Sequence, residues 1–261
     1  MGTFTSLVGA VDQVGLTSTL KYKGDFTVFA PTDDAFASLP DGLLASLTNE
    51  QVTEILTYHV LSGEVFSNQL DPEQAVESLS EEDVFITSNN DGVFVNGSAS
   101  VVTADVDVSN GVIHAIDAVI LPNEFLDVVQ IAQKNYNLTT LVDLVVDADL
   151  VTTLKGDGPF TVLAPTNAAF AEISATLDGL TASEVEEVLL YHVAAQEALA
   201  GDLTDGMTIE TVQGEDITVT IDAENNVFFN GDVGVVTVDL EGTNGVVHII
   251  DGVLIPPSFT N

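Results

Sequence analysis

Apolar residues along this chain fall first at helical spacing and then in strand-like runs, and the whole order occurs twice. Residues spaced near 3.6 apart share one face of a helix, so each half of the chain is predicted to open with helix. The apolar positions of these patterns are Leu7, Val8, Val11, Val14 and Leu20 in the first half, and Leu141, Val142, Leu144, Val145 and Leu154 in the second.

A short apolar run that ends at proline follows the opening helix in each half. The runs are Phe26–Ala30 and Phe160–Ala164, and their length and composition predict buried strands. A threonine comes directly after each proline, at Thr32 and Thr166. Threonine is a favoured N-cap because its hydroxyl accepts a free backbone N–H, so a short helix is predicted after each of these residues.

The start of another helix is predicted in each half by the capping-box pattern, a threonine followed three residues later by glutamine or glutamate. The pairs are Thr48 with Gln51 and Thr181 with Glu184. Both predicted helices end at a tyrosine–histidine pair, which is Tyr58-His59 in the first half and Tyr191-His192 in the second.

The last third of each half consists of short apolar runs separated by asparagine and glycine. These two residues tolerate the positive φ of tight hairpins, so the pattern predicts strands of an antiparallel sheet. Helices followed by such a sheet predict an α+β fold. The predicted strands are Val84–Thr87, Val93–Val95, Ala99–Thr103 and Val112–Leu121, then Ile217–Ile221, Val227–Phe229, Val233–Val238 and Val246–Ile255.

Three motifs of the first half return in the second, at offsets of 134, 133 and 134 residues. A period of this length is a whole domain, since solenoid and propeller repeats span about 20 to 50 residues. The chain is therefore two tandem copies of one module, with predicted domains at 1–122 and 123–261. The motif pairs are Phe26–Thr32 with Phe160–Thr166, Tyr58-His59 with Tyr191-His192, and Asn110–His114 with Asn244–His248.

The second copy opens with an amphipathic segment, Phe125–Ala132, that has no counterpart before Thr5. We therefore expect that the first domain lacks its opening helix and that the chain was cut from a longer precursor. The N-terminus carries no basic stretch followed by an apolar run, so this sequence contains no secretory signal.

The charge of the chain is strongly negative, with 41 acidic residues against four lysines, no arginine and a formal net charge of -37. Such a chain repels nucleic acid phosphates and anionic lipid, so nucleic acid binding is excluded. Salt relieves the self-repulsion of a highly charged fold, which favours a halophilic or marine source. A calcium-loaded surface and plain colloidal solubility are the alternatives.

The lack of cysteine and of long apolar runs excludes further kinds of site. The chain has no cysteine, which removes thiol catalysis, disulfides and cysteine-ligated metals. No apolar run approaches the roughly 20 residues that a membrane-spanning helix requires, so no direct membrane insertion is expected.

The repeated motifs resemble those of the fasciclin (FAS1) domain. Phe26–Phe36 is similar to the first conserved box of that family, Tyr58-His59 to its central Tyr-His motif, and Asn110–Pro122 to its second box. The second copy matches at Phe160–Phe170, Tyr191-His192 and Asn244–Pro257. The resemblance covers nearly the whole chain and implies two tandem domains, each a β-sandwich wedge flanked by several short α-helices.

The resemblance also implies a function, because fasciclin domains occur in secreted or surface-anchored adhesion proteins. In animal members, integrin contact has been attributed to the Tyr-His region and to an Asp-Ile step before the second box. By resemblance, the adhesion candidates are Tyr58, His59, Tyr191 and His192, together with the steps Asp105-Val106 and Asp239-Leu240, neither of which is Asp-Ile.

The four histidines, His59, His114, His192 and His248, all lie at repeated motif positions. One interpretation makes them ligands or catalytic bases; the other makes each a buried imidazole whose two nitrogens satisfy backbone groups. We favour the second, since no histidine or cysteine lies at metal-ligand spacing. Residues three apart in a strand point to opposite faces, so His114 with Asp117 and His248 with Asp251 should not form catalytic pairs. Thr32, Thr166, His114, Asp117, His248 and Asp251 are therefore interpreted as structural.

No catalytic motif, cofactor site or metal site is predicted. There is no Gly-x-Ser-x-Gly elbow, and acidic clusters such as Glu81–Asp83, Asp105–Asp107 and Glu184–Glu187 do not match a calcium-binding loop. We interpret these clusters as solvated surface with at most weak calcium binding.

The leading hypothesis is a non-enzymatic extracellular adhesion or matrix-binding module of a microbial surface protein, secreted or held at the cell surface. Its partner would be a cell-surface or extracellular-matrix protein or a polysaccharide. One alternative is a soluble carrier of a carotenoid or lipid, and a second is a scaffold whose acidic face recruits cations. The pocket walls that the carrier hypothesis predicts are Phe66, Phe85, Phe94, Phe228 and Phe229.

Overall fold

Seven strands form one sheet in each half of the chain. The computed structural model describes residues 3–22, 24–40 and 42–259. They divide into two units, Met1–Pro122 and Asn123–Asn261.

Unit 1 begins with helices and ends in strands. Its helices are α1 (Thr5–Gln13), α2 (Thr17–Tyr22), α3 (Asp33–Ala37), α4 (Leu43–Ser46) and α5 (Asn49–Tyr58). Its strands are β1 (Phe26–Pro31), β2 (Val60–Ser62), β3 (Glu73–Glu77), β4 (Asp83–Asn89), β5 (Gly92–Val95), β6 (Ala99–Val108) and β7 (Gly111–Ile116).

Unit 2 repeats this series after one additional helix, α6. Its helices are α6 (Val128–Lys134), α7 (Thr139–Asp147), α8 (Val151–Leu154), α9 (Asn167–Glu172), α10 (Ser174–Leu177) and α11 (Ala182–Tyr191). Its strands are β8 (Phe160–Pro165), β9 (Val193–Ala194), β10 (Thr208–Glu210), β11 (Asp216–Ile221), β12 (Val227–Phe229), β13 (Val233–Gly242) and β14 (Gly245–Ile250). Short 3₁₀ turns connect several of these elements, at Ser67–Gln69, Asn123–Phe125, Tyr136–Leu138, Ala200–Asp202 and Pro257–Phe259.

The strand order is the same in both units. It runs β2-β1-β7-β6-β5-β4-β3 in unit 1 and β9-β8-β14-β13-β12-β11-β10 in unit 2. The strands predicted in the last third of each copy pair antiparallel with one another, as expected, and each sheet also contains one parallel pair. Strand β1 lies inside the sheet and pairs in parallel with β7, as β8 does with β14. Most residues of these strands are buried, which explains their continuous apolar sequence.

The predicted last strands are too long. Strand β7 ends at Ile116 instead of Leu121, and β14 ends at Ile250 instead of Ile255. Beyond these ends, groups of the departing segment form hydrogen bonds outside the regular strand ladder. The side chain of Asp117 accepts the N–H of Ser100 at 2.7 Å, and the N–H of Ile120 donates to the ring of His59 at 3.1 Å.

The helix starts follow the predicted caps. Thr32 and Thr166 each accept a backbone N–H in the first turn of the next helix, and both capping boxes are formed. The amphipathic segment that opens the second copy forms a 3₁₀ turn and then α6, which Asp127 caps. The described part of unit 1 starts instead with α1, the counterpart of α7.

Each unit has its own apolar core, which the sheet and helix α5 or α11 enclose. Within the described ranges, no helix is both long and apolar enough to cross a membrane. The core of unit 1 contains Phe29, Tyr58, Leu61, Val84, Ile86, Val95, Ala99, Ile116 and Ile120. The core of unit 2 contains Leu163, Tyr191, Ala194, Ala198, Leu203, Ile209, Ile217, Val219, Phe229, Val233, Ile250 and Leu254.

Candidate functional site

Tyr58, at the end of α5, is fully buried and ties the helix to the sheet. Its hydroxyl donates to the carbonyl oxygen of Asp83 at 2.9 Å and accepts the side-chain amide of Asn96 at 2.8 Å. The Asn96 carbonyl oxygen accepts the N–H of Phe85 at 3.0 Å. Burial raises the pKa of Tyr58.

The same network occurs in unit 2. Tyr191 donates to the carbonyl oxygen of Asp216 at 2.9 Å and accepts from Asn230 at 3.0 Å. Burial raises its pKa as well. Each phenol hydroxyl has both a donor and an acceptor inside the fold, so its hydrogen-bonding capacity is satisfied within the core.

His59 follows Tyr58 and joins the end of α5 to the segment after β7. Its Nδ1 lies 2.6 Å from the carbonyl oxygen of Ile55, and its Nε2 accepts the N–H of Ile120 at 3.1 Å. A carbonyl oxygen can only accept, so Nδ1 carries the proton and the ring is neutral. Burial lowers the pKa of His59 to about 4.

His192 makes the equivalent contacts in unit 2. Its Nδ1 donates to the carbonyl oxygen of Val188 at 2.7 Å, and its Nε2 accepts the N–H of Leu254 at 2.9 Å. Burial lowers its pKa to about 4. Protonation of Nε2 in either ring would place two donors face to face.

Burial corrects the expectation that the Tyr-His pair contacts an adhesion partner. Tyr58 and Tyr191 are 0% exposed, and His59 and His192 are 2% exposed. In the folded domain these four side chains cannot contact a partner. They affect the surface only by fixing the positions of the elements to which they bond.

His114 lies on β7 and His248 on β14, the last strand of each unit in sequence, and both side chains are also buried. The Nε2 of His114 donates to the carbonyl oxygen of Val65 at 2.8 Å, and its Nδ1 accepts the N–H of Asp105 at 3.2 Å. The corresponding distances for His248 are 2.8 Å to the carbonyl oxygen of Ala198 and 3.1 Å from the N–H of Asp239.

The histidines support a β-bulge on the neighbouring strand. Strand β6 pairs with β7 at Thr103↔Ala115 and at Val106↔Ile113, so two residues of β6 lie opposite His114 alone. The second of these is Asp105, whose φ of 58° lies in the left-handed region. Aspartate tolerates that region better than most residues, which explains an acid at this position.

Strand β13 has the same bulge opposite His248. It pairs with β14 at Thr237↔Ile249 and at Leu240↔Val247, and Asp239 has a φ of 55°. The link between acid and histidine was not predicted from the sequence. Its signal there is the equal spacing of nine residues, from Asp105 to His114 and from Asp239 to His248.

The two bulge carboxylates are held differently. Asp105 accepts both the backbone N–H, at 2.8 Å, and the hydroxyl of Ser67. The hydroxyl is the largest cause of the lowered pKa of Asp105. Ala200 stands in place of Ser67 in unit 2, and Asp239 accepts its backbone N–H at 2.8 Å.

The strand around each bulge presents apolar side chains to solvent. Val102 on β6 is 54% exposed and Val236 on β13 is 61% exposed, and these residues are equivalent in the two copies. Val106 and Leu240, which follow the acids, are half-buried. We name these positions the bulge surface, which consists of Val102, Asp105 and Val106 in unit 1 and of Val236, Asp239 and Leu240 in unit 2.

The two remaining motif aspartates accept hydrogen bonds from backbone N–H groups. Asp117 accepts the N–H of Ser100, and Asp251 accepts the N–H of Gly234, both at 2.7 Å. Within the described residues, no hydrogen bond joins Asp117 to His114 or Asp251 to His248. The carboxylates beside these rings are those of Asp105, 4.0 Å from His114, and Asp239, 3.9 Å from His248. Across the described ranges, no group of three or more histidine, aspartate and glutamate side chains is arranged to hold a metal ion.

The apolar cavities found among the described residues do not lie at the phenylalanines that the carrier hypothesis names. One of about 20 Å³ lies in unit 1 among Ala10, Phe36 and Leu56. An apolar cavity of about 30 Å³ lies in unit 2 among α6, α7, α8 and β8, and one of about 10 Å³ lies in unit 1 beside β1. Phe229 is fully buried in the core instead. Pockets for small-molecule ligands span roughly 300–1,000 Å³, so none of these three cavities is preformed for a carotenoid or lipid. None of the three is lined by Phe66, Phe85, Phe94, Phe228 or Phe229.

Comparison with known proteins finds relatives along most of the chain. The chain is 30% identical to periostin of Homo sapiens over 240 residues and 32% identical to transforming growth factor-beta-induced protein ig-h3 of Sus scrofa over 244 residues. These alignments cover 89% and 90% of the chain but only 27% and 35% of the relatives, so the chain spans about a third or less of their length. Protein sll1483 of Synechocystis sp. is 47% identical over 124 residues, which cover 46% of the chain and 68% of that protein.

A solved structure and a family model agree with these alignments. The FAS1 domain pair from the insect cell adhesion molecule Fasciclin I superposes with a TM-score of 0.72 at 19% identity, over 98% of both chains, which shows the fold. The fasciclin domain model matches residues 2–122 and again 136–256. The chain therefore belongs to the fasciclin domain family and carries two such domains in tandem.

Proposed function

We propose that this chain is a non-enzymatic adhesion or matrix-binding module that contacts its partner through the bulge surface of each unit. The observation that carries the proposal is the repetition of that surface. In both units an acid, an exposed valine and a half-buried branched side chain lie on the same strand, and a buried histidine fixes the backbone of the acid.

The acid of the bulge surface is held in place before any partner binds. A contact group that is already held in place loses little conformational freedom on binding, so more of the contact energy appears as affinity. Asp105 is held at its backbone by His114 and at its carboxylate by Ser67. Exposed valines beside such an acid supply apolar area that a partner can bury.

The setting of this activity is outside the cell, secreted or at the surface of a microbe, in saline surroundings. A net charge of -37 supports the saline setting, because salt screens the repulsion among the carboxylates. The partner is a cell-surface or extracellular-matrix protein or a polysaccharide, with weak calcium binding at most. Relatives such as periostin and ig-h3 support the adhesion class.

Attachment of beads tests this function. Beads coated with the full chain are compared with beads coated with an unrelated acidic protein, on surfaces of matrix protein, polysaccharide and microbial cells, from 0.1 to 2 M NaCl with and without calcium. We expect specific attachment to at least one surface. Absence of attachment under every condition contradicts the proposal.

A further inference from the structure

In each unit, the first and the last strand in sequence lie side by side in the sheet and run in the same direction. The pairing of β1 with β7 begins at Phe26↔Gly111 and extends over six residue pairs. Strands β8 and β14 pair over the six equivalent positions of unit 2. The other strand pairs of the described sheets are antiparallel.

The parallel direction decides how this pair responds to tension along the chain. Tension enters the sheet before the first strand and leaves it after the last strand. In a parallel pair these two points lie at opposite ends of the ladder, because both strands begin at the same end. Pulling them apart slides one strand past the other and stresses all the ladder hydrogen bonds together. In an antiparallel pair both points would lie at the same end, and the bonds would break one after another.

Hydrogen bonds close the ladder at both of its ends. The N–H of Phe26 donates to the carbonyl oxygen of Asn110 at 3.1 Å, and the N–H of Thr32 donates to that of Ile116 at 3.0 Å. The equivalent distances in unit 2 are 3.0 Å and 3.1 Å. The bonds of the pair therefore extend one residue beyond the strands, and neither end offers a frayed start for separation.

The parallel pairs are also the most protected part of each sheet. All six residues of β14 are buried, and β7 and β1 are buried except at Ile113 and Val28. Each strand of a pair has a further neighbour on its other side, so none of them is an edge strand. Because water is excluded from the ladder, a bond that breaks there finds no immediate replacement partner.

The segments that carry tension to the pair of unit 1 are held by isolated bonds. Before β1, the carboxylate of Asp33 accepts the N–H of Ser6 in α1 at 2.8 Å, and α1 has no fully buried residue. After β7, the ring of His59 accepts the N–H of Ile120 at 3.1 Å. Such bonds meet the force singly, so we expect these segments to detach at lower force than the strand pair.

We propose that each unit bears tension along the chain through its parallel strand pair, β1 with β7 in unit 1 and β8 with β14 in unit 2. We name these pairs the mechanical clamps. A unit stays folded under tension until the two strands of its clamp slide apart together. Forced unfolding is governed by the unfolding rate, so the clamp sets the force that a unit withstands. This role goes beyond the proposed adhesion function and does not depend on the identity of the partner.

Single-molecule force spectroscopy of the full chain, held at its two ends, tests the clamps. We expect two high-force ruptures, each of which lengthens the chain by roughly 300 Å, the extended length of residues 26–116 or 160–250. A rupture that lengthens the chain by more than about 400 Å releases an entire unit and places the barrier outside the clamp. That result overturns the proposal, as does gradual extension without force peaks.

A second pulling geometry separates the clamp from general stability. The chain has no cysteine, so two introduced cysteines provide unique handles. Asp25→Cys with Ser109→Cys places both handles on exposed residues just before β1 and β7, at the same end of the ladder. Pulling there peels the strands apart, and we expect no more than half the rupture force of unit 1 at the same loading rate. Equal forces in the two geometries overturn the proposal.

Variants place the resistance in the ladder itself. A Cβ on Gly111 would clash with the carbonyl oxygen of Phe26 at the first rung. Gly111→Ala should lower one of the two rupture forces by at least a third, and unit 2 of the same molecule is the internal reference. Gly245→Ala is the matched variant of unit 2. Tyr58→Phe weakens unit 1 away from the ladder and should leave both forces within about a tenth.

Thermal unfolding checks that these variants remain folded. Equal loss of force in Gly111→Ala and Tyr58→Phe would show that rupture follows overall stability, and the proposal would then be overturned. If the glycine variants do not fold, the comparison of the two pulling geometries decides, because its handles lie outside the strands.

Discussion

The backbone N–H of Asp105 donates to the ring of His114 at 3.2 Å, and the side chain of the same aspartate lies exposed on the strand. One residue therefore connects a buried imidazole with the surface. Asp239 and His248 repeat the relationship at 3.1 Å in unit 2. His114 and His248 thus support the backbone of the bulges, and under the proposed function the acids that they hold contact the partner.

Replacement of His114 by alanine should destabilise unit 1 by about 2–4 kcal/mol. The change leaves the N–H of Asp105 and the carbonyl oxygen of Val65 without their partner and opens a cavity. Urea unfolding measures the loss. His248→Ala should cost unit 2 a similar amount, because its contacts match. A cost below about 0.5 kcal/mol at both sites would show that the imidazoles do not support the bulges.

The stability of the protein should fall as the pH is lowered from about 7 towards 4. His59 and His192 have pKa values of about 4 in the folded protein, against 6.5 when exposed. Between these values the unfolded chain binds more protons, so acid favours unfolding, by about 2 kcal/mol for each histidine at pH 5. Protonation of carboxylates relieves charge repulsion and acts in the opposite direction, so the rings must be followed directly.

Nuclear magnetic resonance of the four imidazoles separates the protonation of the histidines from that of the carboxylates. His59 and His192 should carry the proton on Nδ1 and should not titrate between pH 8 and 5. His114 and His248 should carry it on Nε2 at neutral pH, since that nitrogen donates to a carbonyl oxygen. A titration midpoint near 6.5 for His59 or His192, or the reversed tautomer, would contradict the described hydrogen bonds.

Tyr58→Phe should destabilise unit 1 by about 1–3 kcal/mol although the ring stays in the core. The variant leaves the amide of Asn96 and the carbonyl oxygen of Asp83 without the hydroxyl that satisfies both. Tyr191→Phe is the matched variant in unit 2 and should behave alike. Chemical unfolding of both variants checks the expectation, and two neutral substitutions would refute it.

Sequence patterns predict the local elements of this fold well and the pairing of distant strands poorly. Thr48 with Gln51 and Thr181 with Glu184 form the predicted capping boxes, because cap and partner are three residues apart. The parallel pairing of β1 with β7 joins Phe26 to Gly111, and no local pattern contains that information. Strand β3, Glu73–Glu77, was missed because it lies at the edge of the sheet and has few apolar residues.

The candidate site was predicted only in part, because it too depends on the pairing of distant strands. Sequence reasoning interpreted the four histidines as backbone partners, yet the resemblance placed adhesion candidates at the buried Tyr-His pairs. The bulge depends on strand register, which brings His114 opposite Asp105. Register is set by tertiary packing, so the connection between acid and histidine emerges only from the fold.

Sodium chloride should raise the melting temperature of the chain between 0.05 and 1 M. A net charge of -37 makes the folded state repel itself, and added salt shortens the range of that repulsion to about 3 Å at 1 M. Scanning calorimetry measures the shift. Calcium chloride at matched ionic strength is the control for specific binding, and a larger shift with calcium would favour a cation-recruiting surface. An unchanged melting temperature in sodium chloride would contradict the screening argument.

The most direct test of adhesion through the bulge surface is the attachment of beads coated with the full chain carrying Asp105→Asn and Asp239→Asn. Asparagine tolerates the positive φ of these residues, so the charge is removed while the bulge is kept. The matched control, Asp107→Asn with Glu241→Gln, removes two exposed charges from the same strands. The account predicts at least a tenfold loss of attachment for the bulge variant and less than a twofold loss for the control. Equal attachment by the two variants would contradict it.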